Sequence, residues 1–438
     1  MNLQERIREA GVVGAGGAGF PAHVKAGSHV EYVIANGAEC EPLLHKDFEL
    51  MVHYPERVVD GVRLMMQATG ARQGIIGVKE KNARAVEAMS GAIGGDEQIR
   101  LHTLGDFYPS GDEYILVYEA TGRLIPAQGL PLDVGIVVNN VETLYNISAA
   151  AEGSPVTEKF ITVSGAVNRP VTFVAPLGLS YAEAIGAAGG ASVADFAVFV
   201  SGLMMGRLEF DLDLPVTKTC AGLIVLPTDH TQVVRKSKPL EAMHRIGKSA
   251  CDQCSYCTEL CPRYTLGYDV QPHKVMRSLS FTATGEDLWN QFAVLCCGCG
   301  LCTLYACPEY LFPKEACDKG KADLREKGIK WEGRREVEPH PMYEYRRTPL
   351  KQLVQRLGVE AYDVPTPFEN LELSPRRVRI PLSQHIGTPA EPAVGVGQRV
   401  ARGDVIGEIP AGKLGARLHA SIEGTVSEVG ESIVIEGA

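Results

Sequence analysis

The residues in this chain best suited to chemistry are its cysteines. The run "CDQCSYCTELCP" sets Cys251, Cys254, Cys257 and Cys261 at C-x2-C-x2-C-x3-C-P, the spacing that holds a cubane iron–sulfur cluster. A second run, "CCGCGLCTLYACP", offers Cys296, Cys299, Cys302 and Cys307, with its last gap one residue longer. Two-residue gaps let three thiolates of one tight loop reach three corners of a cube, and the fourth ligand must come from farther away. In two-cluster proteins the fourth cysteine of each run serves the other cluster. That rule assigns Cys251, Cys254, Cys257 and Cys307 to one [4Fe–4S] cluster and Cys296, Cys299, Cys302 and Cys261 to the other. Zinc also takes C-x2-C pairs, but a zinc ribbon needs neither the third closely spaced cysteine nor the Cys-Pro ending. Cys297 reads as a surplus neighbour, and Cys40, Cys220 and Cys317 read as small buried apolar residues.

The second stretch with chemical potential is "VVGAGGAGFP", in which Gly14, Gly16 and Gly19 spell G-x-G-x-x-G. A dinucleotide-binding turn also needs a strand before the glycines and a helix after them. Here "MNLQERIREAG" precedes them as an amphipathic helix with Leu3, Ile7 and Ala10 on one face. Pro21 and Gly27 leave no room for a crossover helix before the next strand-like run. A Rossmann fold is therefore excluded. Two readings stay open: a loop whose backbone N–H groups line a phosphate and admit a flat ring, and a plain glycine-rich turn.

The elements that must position these groups fall into several modules, since 438 residues exceed one core. Residues 1–155 alternate strand-like and helical runs, which predicts an α/β domain. Residues 156–240 shorten to "KFITVSGAV", "TFVAPLG", the helix "SYAEAIGAAGG" and "FAVFVSGLMMG", a small α+β unit. The cysteine region spans 241–325, with helices over "PHKVMRSL" and "EDLWNQFAVL". A charged, proline-containing stretch, 326–370, reads as linker plus the helix "YRRTPLKQLVQRLGV". Residues 371–438 are short strands between glycine turns, a small all-β unit.

Composition limits the function classes. The chain is 45% apolar and 22% charged with net charge −10, and it has no basic tract, which argues against nucleic acid as the main partner. No apolar run approaches a membrane span and no signal-peptide pattern opens the chain, so a cytosolic location is expected. Crowding of nine cysteines, the eight of the two runs and their neighbour Cys297, into 251–307 reads as metal ligation in a reducing compartment, not as a disulfide framework.

With the cluster runs in view, "GAGGAGFPAHVK" resembles the glycine-rich flavin loop of the FMN- and NADH-binding subunit of respiratory complex I, with Ala15 in place of its arginine. "NGAECEP" (36–42) and "VVNNVETL" (137–144) resemble two further motifs of that family. The stretch "YPSGDEYILVYEATGRLIPAQGLPLDVGIVVNNVET" is similar to the RnfC protein of the Rnf electron-transport complex and to the cobalamin reductases of propanediol-utilising bacteria. The resemblance implies a multidomain chain: a flavin α/β domain, a β-grasp module, a helical dicluster ferredoxin-like domain and a barrel-sandwich, lipoyl-like module. That last module lies at the C-terminus here, the order of the cobalamin reductases, and lacks a lysine in its "ASIEGTV" hairpin, which argues against a swinging arm.

By resemblance, Gly14, Gly16, Gly17, Gly19 and Lys25 hold the FMN phosphate and flank its ring, and Phe20 stacks on the nicotinamide cofactor. Asn36, Glu39 and Glu41 line the flavin and NADH pocket, with Glu39 and Glu41 as the catalytic pair. Asn139, Asn140 and Thr143 bind the ribityl chain and phosphate. The implied cofactors are FMN, NADH and two [4Fe–4S] clusters, with cobalamin as substrate. The implied partners are an adenosyltransferase and the shell or core proteins of a bacterial microcompartment, with a homo-oligomer allowed. The competing readings are an electron-input subunit of a membrane Rnf-like complex and a non-enzymatic cluster-carrying assembly protein. The N-terminal helix reads either as an encapsulation signal or as packing for its own domain.

Overall fold

A computed structural model describes residues 1–280 and 286–437. The first helix, α1 (Leu3–Glu9), starts in a capping box in which Asn2 accepts from the Glu5 N–H, and it buries Ile7. It packs on its own module, in the core cluster that also holds Val12, Val33, Val58 and Leu144. The glycine loop comes next, drawn together at its base by a bridge between Val13 and Pro21. After it come α2 (Ala22–Ala26), β1 (Tyr32–Gly37), α3 (Lys46–His53), α4 (Pro55–Thr69), β2 (Gln73–Lys79), α5 (Ala83–Ile93), β3 (Ile99–Leu104), β4 (Phe107–Tyr108), α6 (Glu113–Thr121), β5 (Ile136–Asn140) and α7 (Val141–Ala151).

Four of these strands form one parallel sheet in the order β3-β2-β1-β5. The chain winds outward from β1 through β2 to β3 and then returns to the other side of β1. The switch point therefore falls between β1 and β5, and ligands of open α/β sheets bind outside the carboxyl ends of strands at such a point. The register there pairs Ala35 with Asn139 and Asn36 with Asn140.

The second module is a mixed sheet of β6 (Glu158–Gly165), β7 (Val171–Pro176), β8 (Phe196–Val200), β9 (Arg207–Glu209) and β10 (Gly222–Pro227), in the order β7-β6-β10-β8-β9. One helix, α8 (Tyr181–Ala187), is held by a Ser180–Glu183 capping box. The cysteine module is built from short helices: α9 (Thr231–Lys236), α10 (Leu240–Ala250), α11 (Tyr256–Glu259), α12 (Pro262–Thr265), α13 (Pro272–Ser278), α14 (Glu286–Asn290) and α15 (Pro313–Glu326). The helix expected over "EDLWNQFAVL" is shorter than its apolar pattern suggested. It ends at Asn290 and tightens into a 3-10 turn over Gln291–Ala293, where the Phe292 carbonyl accepts from the Gln271 N–H.

The stretch read as a linker is tied down along much of its length. Tyr343 and Arg347 both donate to Glu119 Oε1, at 2.8 and 2.6 Å. A strand β11 (Thr348–Pro349) pairs with β4, and α16 (Leu350–Leu357) buries Leu353 and Leu357 against the second and third modules. Proline and charge masked these anchors in the sequence, because their partners lie hundreds of residues away. The C-terminal unit stacks a four-stranded sheet on a three-stranded one around Val378, Ile406, Leu418, Ile433 and Ile435.

Candidate functional site

The glycine loop is shaped from beneath. The Gly14 N–H donates to the Phe20 carbonyl at 2.9 Å, closing the loop, and the Ala15 N–H donates to Thr143 Oγ1 at 2.9 Å. A Cβ at Gly16 would fall 2.7 Å from Asn140 Nδ2, so glycine is needed there. Gly17 is exposed, and a Cβ there would meet nothing within 4 Å. Gly19 takes φ +76° and lies under the C-terminal unit, where a Cβ would meet the backbone of His385 and Gln384 at about 3 Å. The loop thus offers free backbone over Gly16 to Ala18 and is clamped on both sides.

Around the switch point the expected residues divide into two groups. Asn139 is 3% exposed and its Nδ2 has no partner, and the buried Ser110 Oγ likewise has none. Buried donors left without acceptors are rare, and these two sit where a polar ligand would satisfy them. Lys25 donates from Nζ to the Val138 carbonyl at 2.6 Å. Burial lowers its pKa against the opposing pull of Glu113, whose own pKa burial raises. Asn36 donates to the Gly111 carbonyl at 2.9 Å. These groups, with the open loop, fit a phosphate-bearing flavin.

The other expected residues serve the scaffold. Asn140 caps α7 through Oδ1 and donates from Nδ2 to Asp47 at 2.7 Å. Thr143 orients the loop, as above. Glu41 accepts from the Met204 and Met205 N–H groups at 3.0 and 2.9 Å, which carries it to the second module; burial pushes its pKa up to about 7. Glu39 stays at the site edge, accepting from the Asp47 N–H at 3.1 Å, with its pKa pushed up to about 8 by burial and then by the Asp47 charge.

A buried charge network that sequence reasoning missed lies beneath. Lys46 pairs with Asp47 and with Glu142, the latter at 2.9 Å, and Lys159 pairs with Glu142 and donates to the Ala15 carbonyl at 3.2 Å. Burial works against both charges, yet the two lysines hold the Glu142 carboxyl below its ordinary value. The only signal for it was a string of charges, "HKDFEL", that a solvated helix face would also show.

The cysteines fall into two sets. Cys251, Cys254, Cys257 and Cys307 line one small pocket, and Cys254 is exposed. Cys261, Cys296, Cys299 and Cys302 are close enough to influence one another's charge, and Cys261, Cys299 and Cys302 are buried. The two loops repeat each other 45 residues apart: Gln253 and Ser255 take φ 62° and 70°, and Gly298 and Gly300 take 73° and 77°. Both lead into an extended cysteine before proline, Cys261 at φ −70°, ψ 120° and Cys307 at φ −74°, ψ 117°. A π-type turn over Cys302–Ala306 absorbs the extra residue of the second run. Sulfurs receive hydrogen bonds from Gln253 Nε2 to Cys251 (3.1 Å), Gly298 N to Cys296 (3.3 Å) and Leu311 N to Cys307 (3.3 Å). Among the described residues no three His, Cys, Asp or Glu side chains are arranged to hold a single metal ion. Four thiols spread around a cavity are the donor set of a cluster.

One contact joins the two halves of the site. Tyr108, 2% exposed, donates from its hydroxyl to the Cys299 carbonyl at 2.6 Å, so the wall carrying Ser110 abuts the second cysteine loop.

Known proteins match this layout module by module. Residues 7–149 match the Nuo51 FMN-binding domain, 160–208 the SLBB domain, 250–312 the 4Fe-4S dicluster domain and 364–438 the RnfC barrel sandwich hybrid domain. Over 99% of its length the chain is 42% identical to "Cobalamin reductase PduS" of Salmonella typhimurium, covering 95% of that protein. The same protein of Citrobacter freundii is also 42% identical, over 99% of this chain and 96% of its own. The chain belongs to the PduS cobalamin reductase family. A component of the Na(+)-translocating ferredoxin:NAD(+) oxidoreductase complex of Acetobacterium woodii is a more distant relative, 35% identical over 59% of this chain and 57% of its own. A solved NAD+-reducing [NiFe]-hydrogenase is similar over 77% of this chain and 63% of its own, at 22% identity and a TM-score of 0.47. As a PduS-family member the chain is an oxidoreductase with FMN and two [4Fe–4S] clusters as its cofactors. Among the described residues, no helix is long and apolar enough to cross a membrane.

Proposed function

We propose that this protein is an NADH-dependent cobalamin reductase, lowering corrin cobalt from Co(III) through Co(II) to Co(I) for an adenosyltransferase partner within a bacterial microcompartment. The observation that carries the reading is the end-to-end likeness to two cobalamin reductases, which extends through the C-terminal barrel unit. The membrane-complex relatives are matched over little more than half the chain.

In this reading Gly14, Gly16, Gly17, Gly19 and Lys25 surround the FMN phosphate, while Asn139 Nδ2 and Ser110 Oγ supply the unspent hydrogen bonds. Phe20, half-buried at the loop's end, flanks the nicotinamide in this reading. When bound, the flavin supplies the exchange between two-electron and one-electron chemistry, and the clusters supply single-electron relay. Glu39, with its raised pKa, holds a proton near neutral pH at the pocket edge. Glu41 acts from the side, fixing the Met204–Met205 loop against Gly300, whose Cβ position is 2.9 Å from the Met204 carbonyl. Tyr108 fixes the Cys299 loop to the flavin wall. Cys299 therefore belongs to the set nearer the flavin, and the set with exposed Cys254 faces outward toward the acceptor.

The test is anaerobic. The protein is reconstituted with iron, sulfide and FMN, NADH is added, and absorbance is followed with hydroxocobalamin as acceptor. Appearance of the Co(II) spectrum, lost in Cys254→Ala while flavin reduction persists, supports the assignment. Flavin and cluster bleaching without cobalamin turnover, together with recovery of membrane subunits in a pull-down, would overturn it in favour of an electron-input subunit.

A further inference from the structure

The glycine loop runs between two glycines in left-handed backbone, Gly11 at φ +66° and Gly19 at φ +76°, and the C-terminal barrel unit backs onto both. A Cβ at Gly11 would run into the Arg417 carbonyl oxygen. One at Gly19 would lie 3.0 Å from His385 Cα and 3.1 Å from the Gln384 carbonyl oxygen. The two barrel segments that make these approaches are tied to each other: the Thr388 N–H donates to the Leu414 carbonyl at 2.8 Å, and the Ala416 N–H donates to His385 Nε2 at 3.0 Å. Lys218, from the second module, joins barrel to loop. Its Nζ donates to the Gly11 and Arg417 carbonyls, each at 2.7 Å, and its backbone N–H donates to Gln384 Oε1 at 2.9 Å. Lys218 and Gln384 are both buried, so these bonds are shielded from water. The Arg417 side chain adds an ion pair to Glu9 at the end of α1.

We propose that the barrel unit is a wall of the flavin site, in which Lys218 and Gln384 are positioning residues that hold the glycine loop in its FMN-binding shape. The inference rests on the flavin assignment above. Glycines at both ends give a free loop wide conformational latitude, and a loop must lose that freedom when it closes on a ligand. The barrel backbone against Gly11 and Gly19 removes it in advance, while Thr143 holds the Ala15 N–H between the two clamps. Barrel and flavin therefore favour the same loop shape, and a single coupling free energy links them. Such coupling is reciprocal: the docked barrel tightens flavin binding, and bound flavin tightens the barrel's hold by the same factor. A barrel that served only as a scaffold or docking unit would show no such linkage.

The experiment uses the full chain with its clusters reconstituted and its flavin removed. FMN affinity is read from quenching of flavin fluorescence, and loop order from amide hydrogen exchange, in the wild type, Gln384→Ala, Lys218→Met and Arg402→Ala. Gln384→Ala removes one of the bonds and should weaken FMN binding about fivefold, and Lys218→Met removes two and should weaken it about tenfold. Both should speed exchange across residues 12–20. Arg402 ties the barrel to Glu158 and Thr157 through bonds that do not involve the glycine loop, so Arg402→Ala should keep the wild-type affinity. In the wild type, added FMN should slow exchange at 384–388 and 414–417, barrel segments outside the flavin motifs. Wild-type affinity in both Gln384→Ala and Lys218→Met, an equal loss in Arg402→Ala, or barrel exchange indifferent to FMN would overturn the proposal. If Gln384→Ala does not fold, Lys218→Met decides by the same criteria. Failure of the flavin assignment would look different, because the wild type itself would then bind no FMN.

Discussion

Lys218 is the perturbation whose size the structure allows to be worked out. Its ammonium is 2% exposed at the meeting of three modules. It donates to the carbonyls of Gly11, at the head of the glycine loop, and of Arg417, in the barrel unit, each at 2.7 Å. Its own backbone N–H donates to Oε1 of Gln384, one of the two residues that cover Gly19, at 2.9 Å. No carboxylate among the described residues pairs with it: Glu9 and Glu408 are taken by Arg417, and the facing His385 and His419 have their own pKa values lowered by burial and then by Lys218. Burial alone therefore brings Lys218 from 10.5 down to about 7. That displacement corresponds to about 5 kcal/mol in favour of the neutral amine, at ~1.36 kcal/mol per pH unit. Between pH 7 and 10.5 the folded chain binds fewer protons than the unfolded one, so stability rises with pH across that window, and below it the burial cost is present in full. Lys218→Met removes this titration. Wild-type minus variant stability, measured by calorimetry on the apoprotein, should rise by about 2–3 kcal/mol from pH 7.5 to 9.5. A flat difference, or one that falls with pH, would refute the claim that an uncompensated ammonium sits at this junction.

Thr143→Val removes the acceptor of the Ala15 N–H. An unpaired buried donor costs about 1–3 kcal/mol, so flavin fluorescence titration should show FMN binding weakened about tenfold, and unaltered affinity would mean the loop is held by other contacts. Gly298→Ala should lower the unfolding midpoint and cluster retention, since φ 73° costs a side chain about 1–2 kcal/mol, whereas Ser255→Gly at φ 70° in the sister loop should raise them. Cys307→Ser should strip or degrade the cluster of Cys251, Cys254 and Cys257 and leave the EPR signal of the Cys296 set intact. The reverse pattern would show that each run keeps its own fourth cysteine.

What could be read in the sequence divides along the range of the interactions involved. The cluster loops were legible because three ligands of each cluster lie within seven residues, and a spacing in sequence then fixes a spacing in space. Even there the reading was incomplete. Gly298 and Gly300 announce their left-handed backbone, while Gln253 and Ser255 hold the same conformation without any residue-type signal. The one-residue insertion before Cys307 gave no hint that a π-type turn would absorb it. In the flavin module the motifs located the pocket but could not apportion the work within it. Asn139 and Asn140 are adjacent and chemically identical, yet alternation along β5 and the start of α7 leave one with a free amide and commit the other to a helix cap. Glu39 and Glu41 diverge for a related reason. They are two residues apart, and the partner that claims Glu41 lies 163 residues downstream in another module. A motif records which residue types meet at a site; which of them face the ligand depends on contacts between modules, and those are absent from any local window.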